Sequence, residues 1–433
     1  MKRISILIIL LLIITVHYRT HAQQDLSLSL NAAQSYAIEY NKVLKNAGLA
    51  IDAANKRVME TLAAGLPQVD ASMNYNNFLG AEIEIKFGEG MDPTRIPFKP
   101  TSNFSITIGQ LIFSGSYWIG LQTSRIYHDL TKSSYEKSEL EILEQVALSY
   151  YTILVSEKSV DIILKNLDNI KDVYNKTNTM FAVGMAEIID VDQLAVQVSL
   201  LENASKSVQR QTEMAYNLLR IQLGVTAETN ITLTETLDEI LTNIDLMTTL
   251  STPLELTNNI DYQIMNTQQL LSKKQIDLER MNCLPTITGY YSNTQKVLKP
   301  DFDMTPPNLI GLQMSIPIFA SGMRKARVDQ ARINYETTMN NKALLTDQLL
   351  IQEKQLRFNL TTALEQYESQ KENVEVSRRV YNNLNLKYQQ GLVSSLDLTT
   401  VNNNYLQAET NYITAMMELL QADLALNKLL NTL

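Results

Sequence analysis

Catalytic and metal sites are built from a short list of side chains, and this chain is poor in them. Its 433 residues include three histidines and one cysteine. His17 and His21 fall in a stretch that reads as an export signal, which leaves His128 and Cys283. Zinc sites, Cys–His pairs and Ser–His–Asp triads all need more than this. No Gly-rich phosphate loop is present. The expectation is a protein that is not an enzyme and uses no cofactor and no metal. Helical carboxylates remain. Asp190 follows Gly184 by six positions, and Asp397 follows Gly391 by six. Both sites suit the first turn of a helix, where an aspartate caps free N–H groups or offsets the helix dipole.

The elements that position these aspartates come in two copies. Gly184 and Gly391 are 207 apart, and so are Asp190 and Asp397. Upstream, Leu66-Pro67 corresponds to Leu284-Pro285, and Ile112-Phe113-Ser114-Gly115 to Ile318-Phe319-Ala320-Ser321-Gly322. The landmarks keep their order in both halves, the signature of an internal duplication. The predicted organisation is a signal at 1–22, a first helix–strand–strand–helix repeat over 23–224, an irregular Thr-rich segment over 225–253, and a second repeat over 254–433.

Periodicity assigns the elements within each copy. Residues ~31–64 carry an apolar stripe at helical spacing (Ala33, Tyr36, Ala37, Tyr40, Leu44) and stop at Pro67, which lacks an N–H. Val69, Ala71, Met73 and Tyr75 then alternate with polar residues, as do Phe104, Ile106 and Ile108, and Ile310, Leu312, Met314 and Ile316. The run after Pro285 alternates least. Polar, Pro-containing loops are expected near 80–101 and 293–308. Long helices are expected over ~116–177 and ~320–390, with near-heptad spacing in Leu349, Leu356 and Ala363 and in Val374, Tyr381 and Tyr388. About 60 helical residues extend on the order of 90 Å, a length that calls for coiled-coil packing.

Lys2 and Arg3, the apolar run Ile4–Val16 and Thr20-His21-Ala22 form the expected signal, with the mature chain starting near Gln23. No cysteine stands there, so the protein is not expected to be a lipoprotein. Loss of Lys2, Arg3 and Arg19 takes the net charge from −9 to −12. This acidity argues against nucleic acid as a partner. Exported amphipathic strands fit a transmembrane β-barrel, since only helices and closed barrels satisfy the backbone in lipid. They fit equally two β-hairpins on a soluble helical core. Four strands cannot close a barrel, so on the membrane reading other copies must pair their edges.

The duplicated Leu-Pro, Phe-Gly and Gly-x5-Asp landmarks resemble the outer-membrane efflux protein family of TolC-like exit ducts, over essentially the whole mature chain. The resemblance implies a mainly α fold with a membrane β-barrel portion: long coiled-coil helices forming an α-barrel, plus four amphipathic strands per chain, closed as a homotrimer. It implies an outer-membrane location with a periplasmic extension, and contact with outer-membrane lipid. Its partners would be a periplasmic adaptor and an inner-membrane transporter. Val183, Gly184 and Met185, with Gly391 and Leu392, match the family's adaptor-binding tips. Tyr388 and Asp397 match gate positions, and Asp190 is the equivalent in the first copy. The family's second gate aspartate is Thr400 here, and its arginine is Val393. Threefold symmetry would gather three Asp397 carboxylates at a cation-selective constriction. The competing reading is an exported coiled-coil scaffold or adhesion protein without a pore. His128 is expected at a surface and Cys283 buried. Tyr117 and Trp118 suit either an interfacial aromatic girdle or helix packing.

Overall fold

The structure is a computed structural model and describes residues 25–86, 88, 90, 92–299, 303 and 305–433. The expected signal at 1–22 lies outside these residues. In chain order the first half contains strand β1 (Leu26–Leu28), helices α1 (Leu30–Tyr40) and α2 (Lys42–Ala63), strands β2 (Gln68–Asn76), β3 (Glu82–Ile85), β4 (Thr94–Pro97) and β5 (Thr101–Phe113), and helices α3 (Gly115–Ala182) and α4 (Ile188–Leu223). The second half contains β6 (Ile231–Leu233), α5 (Leu237–Asn243), α6 (Leu246–Ser251), α7 (Ile260–Met281), β7 (Thr286–Leu298), β8 (Asn308–Ser315), α8 (Met323–Gln389) and α9 (Ser395–Leu430). No helix among the described residues is long and apolar enough to cross a membrane.

The chain divides into two compact units. One comprises the residues up to Ala47, Tyr135–Ile260 and Asp347–Leu433; the other comprises Gly48–Ser134 and Asp261–Thr346.

In the first unit the expected helix over 31–64 is interrupted at Asn41. The interruption has a long-range cause. Asn41 is buried, its amide nitrogen donates to the Gln222 carbonyl at 2.7 Å, and its Oδ1 accepts from the N–H groups of Val43 (2.7 Å) and Leu44 (3.2 Å). It thus caps α2 and fastens it to the end of α4. That end is Gly224, at φ +71°, where a Cβ would lie 2.4 Å from the Tyr40 carbonyl oxygen. Only glycine fits both the left-handed backbone and the close approach.

The segment expected to be irregular, 225–253, holds β6, α5 and α6. β6 pairs in parallel with β1, Leu26 opposite Ile231. Thr236 and Glu239 form a reciprocal capping box on α5. Glu235 accepts the Leu30 N–H at 2.7 Å, capping α1 from across the repeat. Beneath lies a core of Leu44, Val146, Tyr150, Leu219, Leu223 and Leu420. The Tyr150 hydroxyl donates to the Leu28 carbonyl at 3.1 Å, and burial pushes its pKa up to about 12.

The second unit carries the four expected strands as one antiparallel sheet in the order β2-β5-β7-β8. β7 continues to Leu298, beyond the expected loop boundary at 293, because its pairing with β5 extends to Ser102–Leu298. The 80–101 loop contains a small β3–β4 hairpin, with Arg95 Nε donating to Glu84 at 2.7 Å.

Candidate functional site

The sheet has two chemically distinct faces. Directly opposed residues share a face, so the register can be read across the strands. One row runs Val69, Ile108, Tyr291, Ile310; the next runs Asp70, Thr107, Ser292, Leu309. The first face also holds Met73, Phe104, Ile106, Ile287, Leu312 and Met314. Its amides, Asn293, Gln295 and Asn308, gather near the Tyr291 hydroxyl, which donates to Asn308 Oδ1 at 2.9 Å. The opposite face is knit by hydroxyls: Ser105 with Thr294 at 2.9 Å, and Thr107 with Ser292 at 3.1 Å.

The apolar face is exposed. Ile310 and Leu312 keep 81% and 76% of their accessible surface, and Val69 and Met73 each keep 67%. An apolar patch of this extent marks a surface made for lipid or for another protein. The outer edges of β2 and β8 have no strand partner among the described residues. Two free edges on an amphipathic sheet are a template for further pairing.

The two glycine turns of the first unit are built alike. Gly184 and Gly391 adopt φ +75° and +73°. In each, the following residue reaches back over the turn: the Met185 N–H donates to Met180 O at 2.8 Å, and the Leu392 N–H to Lys387 O at 3.0 Å. Val183, Met185 and Leu392 project at the turns with 66%, 76% and 67% exposure. None of the described residues covers these apolar side chains.

The aspartates that share a spacing have different partners. Asp397 closes a capping box with Ser394: its carboxylate accepts from the Ser394 hydroxyl at 2.7 Å and N–H at 3.3 Å, and its own N–H donates to Ser394 Oγ at 3.1 Å. Asp190 caps nothing, since the N-cap of α4 is Glu187, without a side-chain bond. Asp190 instead accepts from the Ser395 hydroxyl at 3.2 Å, joining the starts of α4 and α9. The Ser394-x-x-Asp397 signature was legible as a capping box; nothing in the sequence signalled Ser395.

Tyr388 is buried in a core cluster that also holds Leu167, Ile170, Val173, Tyr381 and Leu398. Its hydroxyl lies 2.8 Å from Thr177 Oγ1, and Thr177 spends its one proton on the Val173 carbonyl. Tyr388 is therefore the donor of a bond between α8 and α3. A second link between the copies is a reciprocal pair of amides: Asn166 and Asn402, both buried, each donate to the other at 3.1 Å. Tyr381 stacks on Tyr405 at 5.6 Å, and Tyr405 donates to Glu409 at 2.6 Å. Burial, more than any other cause, raises the pKa of Glu409.

His128 is half-buried, with Nδ1 3.2 Å from Asp129 Oδ1. Cys283 is exposed, contrary to the buried position expected; it sits in the turn before Pro285, where its N–H donates to Arg280 O and its side chain packs on no core. Trp118 is exposed and Tyr117 donates to the Leu62 carbonyl at 3.1 Å. Among the described residues, no cluster of three or more His, Cys, Asp or Glu is arranged to hold a metal ion.

Comparison with known proteins agrees with this architecture. The outer membrane protein TolC of Salmonella enteritidis is 23% identical over 306 residues, which make up 68% of this chain and 60% of that protein; the match thus spans less than two thirds of the relative's length. The crystal structure of the outer membrane protein VceC from Vibrio cholerae superposes with a TM-score of 0.74 at 14% identity, over 93% of this chain and 95% of that one. The open-state Neisseria gonorrhoeae MtrE outer membrane channel gives 0.72 at 15% identity, over 95% and 93%. A profile of the outer membrane efflux protein family matches residues 34–225 and, a second time, residues 253–432. With both repeats matched, this chain belongs to the outer membrane efflux protein family.

Proposed function

We propose that the protein is the outer-membrane exit duct of a tripartite efflux or secretion system, passing substrates passively from a periplasmic adaptor and inner-membrane pump to the exterior. The observation that carries this reading is the two-faced sheet with both edges free. Its apolar face suits lipid and its hydroxyl face suits a water-filled lumen. The duct is a homotrimer: three four-stranded sheets make a twelve-stranded barrel, and the free edges of β2 and β8 supply the pairing. The protein sits in the outer membrane with its long helices in the periplasm, and it is not a lipoprotein. The similarity in fold to the MtrE outer membrane channel supports the same reading.

Within this duct the exposed turns at Val183, Gly184, Met185, Gly391 and Leu392 dock the adaptor. The gate is the neighbourhood of Tyr388, Asp190 and Asp397. Its closed form is held without the family's arginine by two bonds between the copies, Tyr388 to Thr177 and Ser395 to Asp190.

Closure by self-pairing is tested by crosslinking. A Cys283→Ser chain carrying Ser72→Cys on β2 and Gln313→Cys on β8, treated in membranes with a bifunctional maleimide, should give a ladder that stops at three chains. A ladder that stops at two, or runs on without limit, contradicts the trimer.

A further inference from the structure

The polar face of the sheet is almost free of charge. Across β2, β5, β7 and β8 the only Asp, Glu, Lys or Arg side chains are Asp70 and Lys296. Both lie on the polar face, because Asp70 stands opposite Thr107 and Lys296 opposite Asn103. They differ in their partners. Lys296 is ion-paired with Asp303, which neutralises it. Asp70 has no basic partner among the described residues and is exposed. Its neighbours along the row are Thr107 and Ser292, whose hydroxyls are committed to each other at 3.1 Å. Residues in the rows beside it, Gln68, Ser72, Ser105, Tyr290 and Thr294, are neutral. The net fixed charge of this face therefore resides in one carboxylate.

We propose that Asp70 is a specificity-determining residue of the duct wall: three copies of Asp70, one from each chain, give the strand segment a cation preference of its own, separate from any preference set at Asp397. The proposal rests on the duct reading, since it needs the polar face to line the lumen. A carboxylate on an otherwise neutral wall acts over a Debye length, about 10 Å near 0.1 M salt and about 3 Å near 1 M. At the lower concentration nothing on the face cancels it, and a ring of like charges raises the local cation concentration. Asp70 also stands three positions after Pro67, at the start of β2, so the ring lies at one mouth of the strand segment.

The test is the reversal potential of the purified full chain in planar bilayers under a potassium chloride gradient. It is read in Asp397→Asn and in the Asp70→Asn, Asp397→Asn double variant, so that the tip carboxylate does not mask the wall. The single variant should retain a preference for potassium over chloride. Adding Asp70→Asn should lower the permeability ratio about two-fold or more near 0.1 M salt and hardly at all near 1 M. Asp70→Glu in place of Asn should restore it. An identical reversal potential in the single and double variants overturns the proposal while leaving the duct intact. No current from any variant, wild type included, overturns the duct reading and this proposal with it.

Discussion

The hydroxyl of Tyr388 donates to Thr177 Oγ1 at 2.8 Å across 211 residues of sequence, and both side chains are buried. The bond joins the last two turns of α8 to the last two turns of α3, immediately before the two glycine turns. It is a buried polar tie between the repeats at this end of the first unit. Any rearrangement that separates these helices must break it.

Removing it should favour separation. Tyr388→Phe keeps the ring and its packing but loses a hydrogen bond worth about 1 kcal/mol net, roughly a five-fold shift in a two-state equilibrium. The expected outcome is greater open probability in single-channel records, with Thr177→Val having the same sign and a larger effect because it leaves the Tyr388 hydroxyl unsatisfied. Unchanged opening in both variants would place the gate elsewhere.

The Asn166–Asn402 pair should matter more for stability than for opening. Asn402→Leu strands the buried Asn166 amide, at a cost of about 1–3 kcal/mol. Replacing both by leucine removes the orphan and should recover much of that loss. Urea denaturation of the parent and the two variants measures it; a double variant no better than the single one would show that the amides pack rather than pair.

Asp423 gives a pH dependence with a defined sign. It is buried, its Oδ1 has no partner among the described residues, and Asn427 donates to its Oδ2 at 2.9 Å. Burial raises its pKa above the ordinary 3.8, only partly offset by the bonds from Thr249 and Asn427. A carboxyl whose folded pKa exceeds its unfolded one costs stability while ionised. That cost is complete above the folded pKa and fades as pH falls through it toward 3.8. Asp423→Asn should therefore raise the melting temperature by a few degrees at neutral pH, with the gain shrinking toward pH 4. A gain that grows on acidification would reverse the sign of the argument.

The exposed tip residues should act in partner capture alone. Met185→Asp and Leu392→Asp alter side chains that touch no core, so thermal stability should stay within about 0.5 kcal/mol of the parent. Capture of the adaptor in a pull-down should fall at least several-fold. Full capture by both variants would remove these turns from the docking surface.

Much of this architecture was legible in the sequence. Period-two alternation at Val69–Tyr75 and Phe104–Ile108 gave the strands their faces, and Pro67 and the two turn glycines set where helices end. These signals are local, and local signals survive without knowledge of the fold. Asn41 was not legible, because the apolar stripe runs through it and its reason for breaking the helix is the Gln222 carbonyl, 181 residues away. The same holds for Thr177 and Ser395, whose partners lie 211 and 205 residues off. The 225–253 segment read as irregular because its order comes from pairing with β1 and from Glu235 reaching Leu30, not from any period of its own. Asp190 and Asp397 share a spacing, yet only Asp397 has a serine three residues before it, and that single difference makes one a cap and the other a tie.

If copies of this chain close their sheets around a water-filled passage, purified full-length protein added to a planar lipid bilayer should give discrete single-channel current steps from a trimeric species. A stable, elongated oligomer that inserts and conducts nothing would contradict that closure and favour a coiled-coil scaffold.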